Sequence, residues 1–263
     1  MTFAVVTLAS LAAIVVVFGA TFAVGRRIGR YNVVDVTWGL GFVAVAATVA
    51  VVGSGDLSRR LVMLALVAAW GLRLAWHMYG KSKGKGEDPR YEALLGRNPS
   101  VATVVRKIFL TQAVATWVIS LPLQISAVSG PTPAVLMPVL GIGLVVWLLG
   151  VVFEAVGDHQ LKVFKADPAH KGVIMDRGLW SWTRHPNYFG DACVWWGLWL
   201  ISVTGWPALF TVVSPALMTY FLVHATGARL TEKNMAGRPG FGEYRARTSF
   251  FLPRPPKTHT SSG

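Results

Sequence analysis

The chain has 263 residues, of which 53% are hydrophobic and only 14% are charged, and its net charge is +13. Soluble domains carry about a quarter charged residues, so this composition argues against a soluble domain and indicates an integral membrane protein. The single cysteine, Cys193, excludes an intrachain disulfide framework and a cysteine-only metal site.

Seven apolar segments are candidates to cross a bilayer, which takes about 20 helical residues. They cover residues 3–24, 33–53, 60–79, 106–128, 132–153, 187–203 and 207–227. Most show little amphipathic rhythm, as expected of helices surrounded by lipid and protein. The sequence therefore predicts an all-α integral membrane protein with seven transmembrane helices. A single domain would cover residues 1–254, with a disordered tail at 255–263.

The basic residues predict the orientation of these helices. If the N-terminus is outside, 22 of the 25 Lys and Arg residues lie in cytoplasmic loops or in the tail, as the positive-inside rule requires. No basic residue precedes the first span and Arg26 and Arg27 follow it, which favours a retained span over a secretory signal. We therefore expect a multi-pass protein of the inner (plasma) membrane with a cytoplasmic C-terminus. Its charge reflects orientation and contacts with membrane lipids, and no nucleic acid partner is expected.

Six ionisable residues lie in or beside the apolar segments, all toward the predicted cytoplasmic side: Asp35, Arg73, Glu154, Asp158, Asp191 and His224. Such residues are costly in a membrane and often functional. Asp35 could instead be a helix-start carboxylate, Arg73 could extend to the headgroups, and His224 alone is more typical of packing. Glu154 and Asp158 are four residues apart and repel each other on one helix face, which favours a ligand role. The pattern predicts a polar cavity that opens to the cytoplasm.

Two basic loops, KSKGKGEDPRYEALLGRNP (81–99) and KVFKADPAHKG (162–172), lie on the same side. Neither has the glycine spacing of a Walker loop or a dinucleotide fold, and no residue set has the spacing of a zinc site, so no metal is predicted. Lys and Arg there could attract anionic lipids. Basic groups beside amides, carboxylates and aromatics also suit a nucleotide.

Two C-terminal stretches resemble a known family. RGLWSWTRHPNYFGDACVWWGLWL (177–200) and LTEKNMAGRPGFGEYRARTSFFLP (230–253) resemble the C-terminal half of the steroid 5α-reductase superfamily, most closely its bacterial branch known as domain of unknown function 1295. VDVTWG, WGLRLAWHMYGKSKGKGEDPRY and HATGARLTEK also resemble that branch, so the likeness covers roughly residues 30–254. RHPNY alone is less specific, because membrane methyltransferases of the isoprenylcysteine type share a similar stretch.

The resemblance implies a seven-helix membrane reductase that binds NADPH from the cytoplasm. Its substrate would be a lipid with a carbon–carbon double bond conjugated to a carbonyl, such as a 3-oxo-Δ4-steroid; an unsaturated fatty acyl group or a polyprenoid is also open. Carried over by motif, the cofactor-binding residues would be Arg73, Asp158, Lys165, Arg184, Asn187, Tyr188, Asp191, Arg229, Glu232 and Tyr244.

The substrate side departs from the family pattern. In the animal steroid reductases a Glu and a Tyr polarise the substrate carbonyl; here Asp35 could replace the Glu, and Trp70 stands at the Tyr position. Indole donates a hydrogen bond but supplies no proton at ordinary pH. Asp35, Trp38 and Trp70 are the candidate catalytic residues, a protonated Asp35 acting as a donor, and Tyr31 and Tyr91 are possible replacements for the missing phenol.

Two alternatives to a reductase stay open. One is an S-adenosylmethionine-dependent membrane methyltransferase, although that family usually carries a Glu-Glu pair where this chain has Glu232-Lys233. The other is a non-catalytic lipid-binding membrane protein, which the missing phenol favours weakly.

Overall fold

A computed structural model describes residues 1–225 and 227–256, and the regular elements of those residues are all helical. The α-helices are α1 (Phe3–Ile28), α2 (Val34–Val52), α3 (Leu57–Ser82), α4 (Pro89–Leu95), α5 (Val101–Val104), α6 (Thr111–Ile119), α7 (Leu121–Ser126), α8 (Met137–Ala166), α9 (Leu179–Trp182), α10 (Pro186–Ser202), α11 (Trp206–Leu209), α12 (Val213–Tyr220), α13 (Ala228–Met235) and α14 (Phe241–Arg247). Short 3₁₀ turns cover Ala134–Leu136, Pro168–His170 and Phe210–Val212, and π-helical turns cover Val105–Leu110 and Phe221–Ala225. Of the predicted disordered tail, residues 257–263 lie outside the described residues.

Several of these helices identify a multi-pass membrane protein. Six segments of the described chain are long and apolar enough to cross a bilayer: Phe3–Ile28, Val34–Val52, Leu57–Ser82, Val101–Ile119, Ala134–Ala166 and Trp206–Met235. The predicted sixth span corresponds to α10, which has 17 residues and is about 26 Å long, shorter than a hydrocarbon core of about 30 Å. The all-α membrane class is confirmed, while the count of seven spans and the orientation of the termini stay predictions.

Helix α8 is longer than the sequence suggested. The predicted span ended at residue 153, but the helix continues to Ala166. Residues 154–166 contain no proline and only one glycine, Gly157, so nothing in them ends the helix. The helix ends before Asp167, because helical geometry is disfavoured for the residue that precedes a proline, here Pro168. Glu154, Asp158 and Lys165 therefore share one continuous helix.

The chain divides into two compact units. The first comprises Met1–Met137 with Ser202–Ser214, and the second comprises Pro138–Ile201 with Pro215–Gly263, of which 226 and 257–263 are not described. The prediction of a single domain over residues 1–254 stays a prediction.

In the first unit, α2 packs against both α1 and α3. The crossing of α2 and α3 is close because Gly39 and Gly71 face each other: a Cβ on Gly71 would lie 2.8 Å from the Gly39 carbonyl oxygen. At the start of α3, the buried guanidinium of Arg59 donates to the Ser126 hydroxyl (2.9 Å) and to the backbone carbonyls of Ser126 (3.2 Å) and Ser129 (2.8 Å). These neutral acceptors tie the end of α7 to α3.

The second unit is organised by a close contact between α8 and α10. Gly143 and Gly150 recur at seven-residue spacing and therefore lie on one helix face. A Cβ on Gly150 would lie 2.6 Å from the carbonyl oxygen of Gly190, and one on Gly197 would lie 2.7 Å from that of Gly143. Lipid tails are as apolar as leucine, so helices in a membrane associate through such close backbone packing.

We expect Gly150→Ala to destabilise the protein, because the added methyl group meets the backbone of α10. The expected cost is about 1–3 kcal/mol, typical of overpacking, and it should appear as a lower thermal unfolding temperature in detergent. Gly141→Ala on the same helix is the control, since no atom lies within 4 Å of a Cβ there. Equal unfolding temperatures for both variants would contradict the packing argument.

Candidate functional site

The polar stretch before α10 forms a turn that begins this helix. Pro186 occupies the first helical position, where its missing N–H costs nothing, and the Phe189 N–H donates to the His185 carbonyl oxygen (3.0 Å). Asn187 and Asp191 are four residues apart in the first turns of α10 and share a face of it. The turn thus presents an amide and a carboxylate from one helix end.

The glycine contact brings this helix end against α8. A Cβ on Gly157 would lie 3.2 Å from the Pro186 ring, so the two backbones are adjacent at this point. There the Asn187 amide Nδ2 donates to Asp158 Oδ1 (3.2 Å), and the Tyr188 N–H donates to Asn187 Oδ1 (3.0 Å). The two ends of the Asn187 amide are therefore oriented by α8 and by α10 itself.

Buried carboxylates lie on the two helices that form this contact. Glu154 and Asp158 are 3% and 7% exposed, and Asp191 on α10 is also 7% exposed. A buried carboxylate is retained only where cations or hydrogen-bond donors offset its desolvation. Glu154 and Asp158 are therefore both buried on α8, and the ligand role expected of this pair stays a prediction.

A second cluster joins the turn to α13. Arg184 Nε donates to Glu232 Oε1 (2.6 Å), and His185 Nε2 lies 3.3 Å from the same oxygen. The imidazole ring stacks on Tyr188, with ring centroids 5.6 Å apart. Burial lowers the pKa of His185 to about 4, although the negative charge of Glu232 opposes this shift. At neutral pH His185 is therefore neutral, and Arg184 supplies the positive charge beside Glu232.

Helix α9 is fixed to α8 and α14 by hydrogen bonds. The Trp180 indole donates to the Gly157 carbonyl (3.0 Å), and the Leu179 N–H donates to Gln160 Oε1 (3.0 Å). The buried Tyr244 hydroxyl donates to the Trp180 carbonyl (2.6 Å), and burial raises the pKa of this phenol. Tyr244 thus stays protonated and uses its O–H inside the protein.

Two predicted cofactor residues lie at the exposed edge of the second unit. Lys165 lies about two turns after Asp158 on α8, and Arg229 lies in the first turn of α13; both are exposed. The second unit thus brings Asp158, Asn187, Tyr188 and Asp191 to one end of α10, and pairs Arg184 with Glu232.

The predicted substrate residues belong to the first unit. The Asp35 carboxylate, at the start of α2, accepts hydrogen bonds from the Tyr91 hydroxyl (2.5 Å) and from Arg90 Nη2 (3.2 Å). Gln112 Nε2 lies 3.4 Å from the same phenol oxygen. Burial, followed by the negative charge of Asp35, raises the pKa of Tyr91, so this phenol is a protonated donor. Asp35 is an acceptor in both contacts.

Two tryptophans meet at one phenylalanine of α2. The Phe42 ring lies 5.2 Å from that of Trp38 and 5.7 Å from that of Trp70, measured between centroids. Trp70 is fully buried, and Arg73 follows it by three residues on α3 and is half-buried. The Gly39–Gly71 crossing permits this arrangement, because each tryptophan directly precedes one of the two glycines.

His185, Gln160 and Trp180 belong to the site of the second unit, although they were not among the candidate residues. The signal for His185 was present, since it lies inside RHPNY, but a single histidine is more often a packing residue. Gln160 and Trp180 carry no motif, and only the docking of α9 on α8 reveals their role.

Comparison with known proteins places the chain in a family. Residues 21–248 match the family described as "Protein of unknown function (DUF1295)", and the chain belongs to this family. DUF1295 is related to the superfamily of steroid 5α-reductases and membrane methyltransferases, so the resemblance expected from the sequence is confirmed at that level. Membership indicates a reductase-like or methyltransferase-like membrane protein.

One curated relative shares a short region. The chain is 43% identical over 51 residues to "Probable O-methyltransferase ustE" of Ustilaginoidea virens. The match covers 19% of this chain and 18% of that protein. No solved structure matches the chain.

The lowered pKa of His185 predicts a pH dependence of stability. Between the unfolded pKa of 6.5 and the folded pKa of about 4, the unfolded chain binds a proton at this residue that the folded protein does not. The free energy of unfolding should therefore be highest above pH 6.5. It should decrease as the pH is lowered to about 4, by on the order of 3 kcal/mol.

The test compares the pH dependence of urea unfolding in His185→Gln and in the wild type. The variant should lose this part of the slope, whereas His159→Gln, which removes an exposed histidine of α8, should keep it. An unchanged slope in His185→Gln would contradict the assignment.

Proposed function

We propose that the protein is an NADPH-dependent membrane reductase of a carbon–carbon double bond conjugated to a carbonyl in a lipidic substrate, such as a 3-oxo-Δ4-steroid. The observation that carries the proposal is the Asn187 amide fixed against the buried Asp158 of α8, beside a tyrosine and an ion pair between the buried Arg184 and the partly exposed Glu232. Membership of a family related to the steroid 5α-reductases supports it.

The residues of the second unit fit a dinucleotide by their chemistry. Ribose hydroxyls are donors that match the carboxylates of Asp158 and Asp191, and a carboxamide can pair with the Asn187 amide. Tyr188 offers an aromatic face, and the exposed Lys165 and Arg229 suit phosphates. When bound, the cofactor would supply a hydride, while the helices supply orientation and exclude water.

The first unit would supply the proton donor for the substrate carbonyl. The animal steroid reductases have a tyrosine for this role at the position where this chain has Trp70. We propose that Tyr91 takes the donor role expected of Asp35, because Asp35 accepts from Tyr91 in the structure. The proton held between these two oxygens would be offered to the substrate carbonyl as negative charge builds there. Trp38, Trp70 and Phe42 would line the apolar part of the substrate region, and Arg73 keeps its proposed cofactor role.

The remaining expectations on topology belong to the same proposal. Counting α10 as a short span gives seven spans, an outside N-terminus and a cytoplasmic C-terminus in the inner (plasma) membrane, as the distribution of Lys and Arg supports. Ligands dissolved in water would then reach the end of α10 from the cytoplasm.

A methyltransferase is the second candidate, because the 51-residue likeness favours it. In that case the same turn would bind S-adenosylmethionine, and its carboxylates would take the ribose hydroxyls and the amino group. The two candidates differ in one measurable property, which is the cofactor that the purified protein binds.

Asn187→Ala should weaken NADPH binding by about tenfold, because the cofactor loses a hydrogen-bond partner and Asp158 loses its donor. The measurement is a titration of the purified protein in nanodiscs, followed by the fluorescence of the bound nucleotide. Asn234→Ala, at an exposed asparagine of α13, should bind as the wild type does. Tight binding of S-adenosylmethionine together with no binding of NADPH would overturn the reductase in favour of the methyltransferase.

Tyr91→Phe should lower the turnover of a 3-oxo-Δ4-steroid by about 10²–10⁴-fold, the usual contribution of a general acid. NADPH affinity should change little, because the phenol serves the substrate carbonyl. Tyr79→Phe is the control, since Tyr79 is 46% exposed in the same unit. If the Tyr91→Phe variant reduced the steroid as fast as the wild type does, Tyr91 would not be the general acid.

A further inference from the structure

The C-terminal segment lies across the turn that carries the site. We call residues 241–254, which comprise α14 and the extended chain after it, the C-terminal clasp. The Arg184 N–H donates to the Ser249 carbonyl (2.9 Å), and the Arg254 N–H donates to the Trp182 carbonyl (3.0 Å). Thr183 Oγ1 donates to the Phe251 carbonyl (2.8 Å). Three successive residues of the turn thus hold the clasp through its backbone.

The Arg184 side chain also binds the C-terminal clasp. It is 8% exposed, and its Nη1 donates to the carbonyls of Arg245 (3.1 Å) and Thr248 (2.5 Å), at the end of α14. The last carbonyls of a helix have no partner within it, and a cation there is favoured by the helix dipole. The guanidinium also lies over the Phe250 ring, 5.4 Å from its centroid. Arg184 therefore caps α14.

Aromatic contacts also hold the clasp against the turn before α10. Phe250 packs edge-on against His185, with centroids 5.5 Å apart, and Phe251 lies 6.1 Å from Phe189 of α10. Phe189 in turn contacts Phe153 of α8 at 5.2 Å. The clasp thus reaches the two helices that carry Asp158 and Asn187.

We propose that Arg184 is a positioning residue and not a ligand contact: its guanidinium fastens the C-terminal clasp over the turn before α10 and aims the Glu232 carboxylate. This changes the role that the family resemblance implied for it. The clasp is a structural part of the site, and the site is incomplete without it.

One carboxylate oxygen of Glu232 is held by Arg184, and the other is available to a ligand. Oε1 is shared by Arg184 and His185. No hydrogen bond to Oε2 is found among the described residues, and the side chain is 16% exposed. Glu232, held by Arg184, is therefore the residue that a ligand hydroxyl or amine reaches. Only the identity of that ligand rests on the proposed function.

Hydrogen exchange measured by mass spectrometry tests the clasp without any cofactor. In Arg184→Gln, the amides of residues 244–251 should exchange at least about tenfold faster than in the wild type, because α14 loses its cap and its anchor. Arg245→Gln is the matched control: it removes an exposed arginine of the clasp and keeps the backbone carbonyl that Arg184 contacts. Its exchange should match the wild type. Unchanged exchange in Arg184→Gln would overturn the proposal.

Thr183→Val keeps the test decisive if Arg184→Gln does not fold. This variant leaves every charge in place and removes the hydroxyl that donates to the Phe251 carbonyl (2.8 Å) and accepts from the His185 N–H (3.3 Å). It should raise exchange in the same residues, and unchanged exchange would count against the clasp.

Cofactor titrations separate positioning from direct contact. If Arg184 acts through Glu232, then Arg184→Gln and Glu232→Gln should weaken NADPH binding by similar factors, and the double variant no further than either single one. Additive losses, with normal exchange in the clasp, would show a direct phosphate contact instead. A wild type that binds no NADPH would refute the proposed function and leave the exchange result standing.

Discussion

Backbone contact between α8 and α10 is the constraint on which the second unit depends. In a bilayer the hydrophobic effect does not draw two apolar helices together, so their separation is set by how closely they can pack. Gly150 and Gly190 let the two backbones touch, and Gly157 continues the contact as far as Pro186. The Asp158–Asn187 hydrogen bond lies next to this last contact. A side chain on any of these glycines would change the geometry of the site as well as the packing.

Charge in the site is balanced locally. The buried Arg184 faces one carboxylate and two helix-end carbonyls, and the neighbouring His185 stays neutral because burial lowers its pKa to about 4. Arg59 in the first unit shows another solution, with neutral hydroxyl and carbonyl acceptors around its guanidinium. Both arginines are buried side chains that join distant segments. A buried basic residue in this chain can therefore serve the structure itself, whereas Lys165 and Arg229 are exposed.

The same turn suits two chemistries. Carboxylates, an amide and an aromatic ring can take the ribose and amide groups of NADPH, and they can also take the ribose and amino group of S-adenosylmethionine. Family membership and the short likeness to a probable O-methyltransferase leave the same two classes. The feature that supports the proposed reductase lies in the first unit, where the Tyr91 hydroxyl donates to the Asp35 carboxylate (2.5 Å). A methyl transfer from S-adenosylmethionine to a lipid needs no acid of that kind at a carbonyl.

The sequence by itself determined the class through its long apolar runs, which are a local signal, and the family through several motifs taken together, since RHPNY alone is shared with membrane methyltransferases. The resemblance to the family also pointed to Asn187, Asp158 and Glu232, and Asp158 stood out by itself as an ionisable residue at the end of an apolar run. The sequence did not determine the length of α8, the pairing of Tyr91 with Asp35 or the role of Arg184. Those depend on contacts between residues about 50 or more positions apart, or on where a helix meets a proline. Only the tertiary structure shows that the guanidinium of Arg184 is occupied by the end of α14, because a hydrogen-bond partner is fixed by distance in space and not by position in the chain.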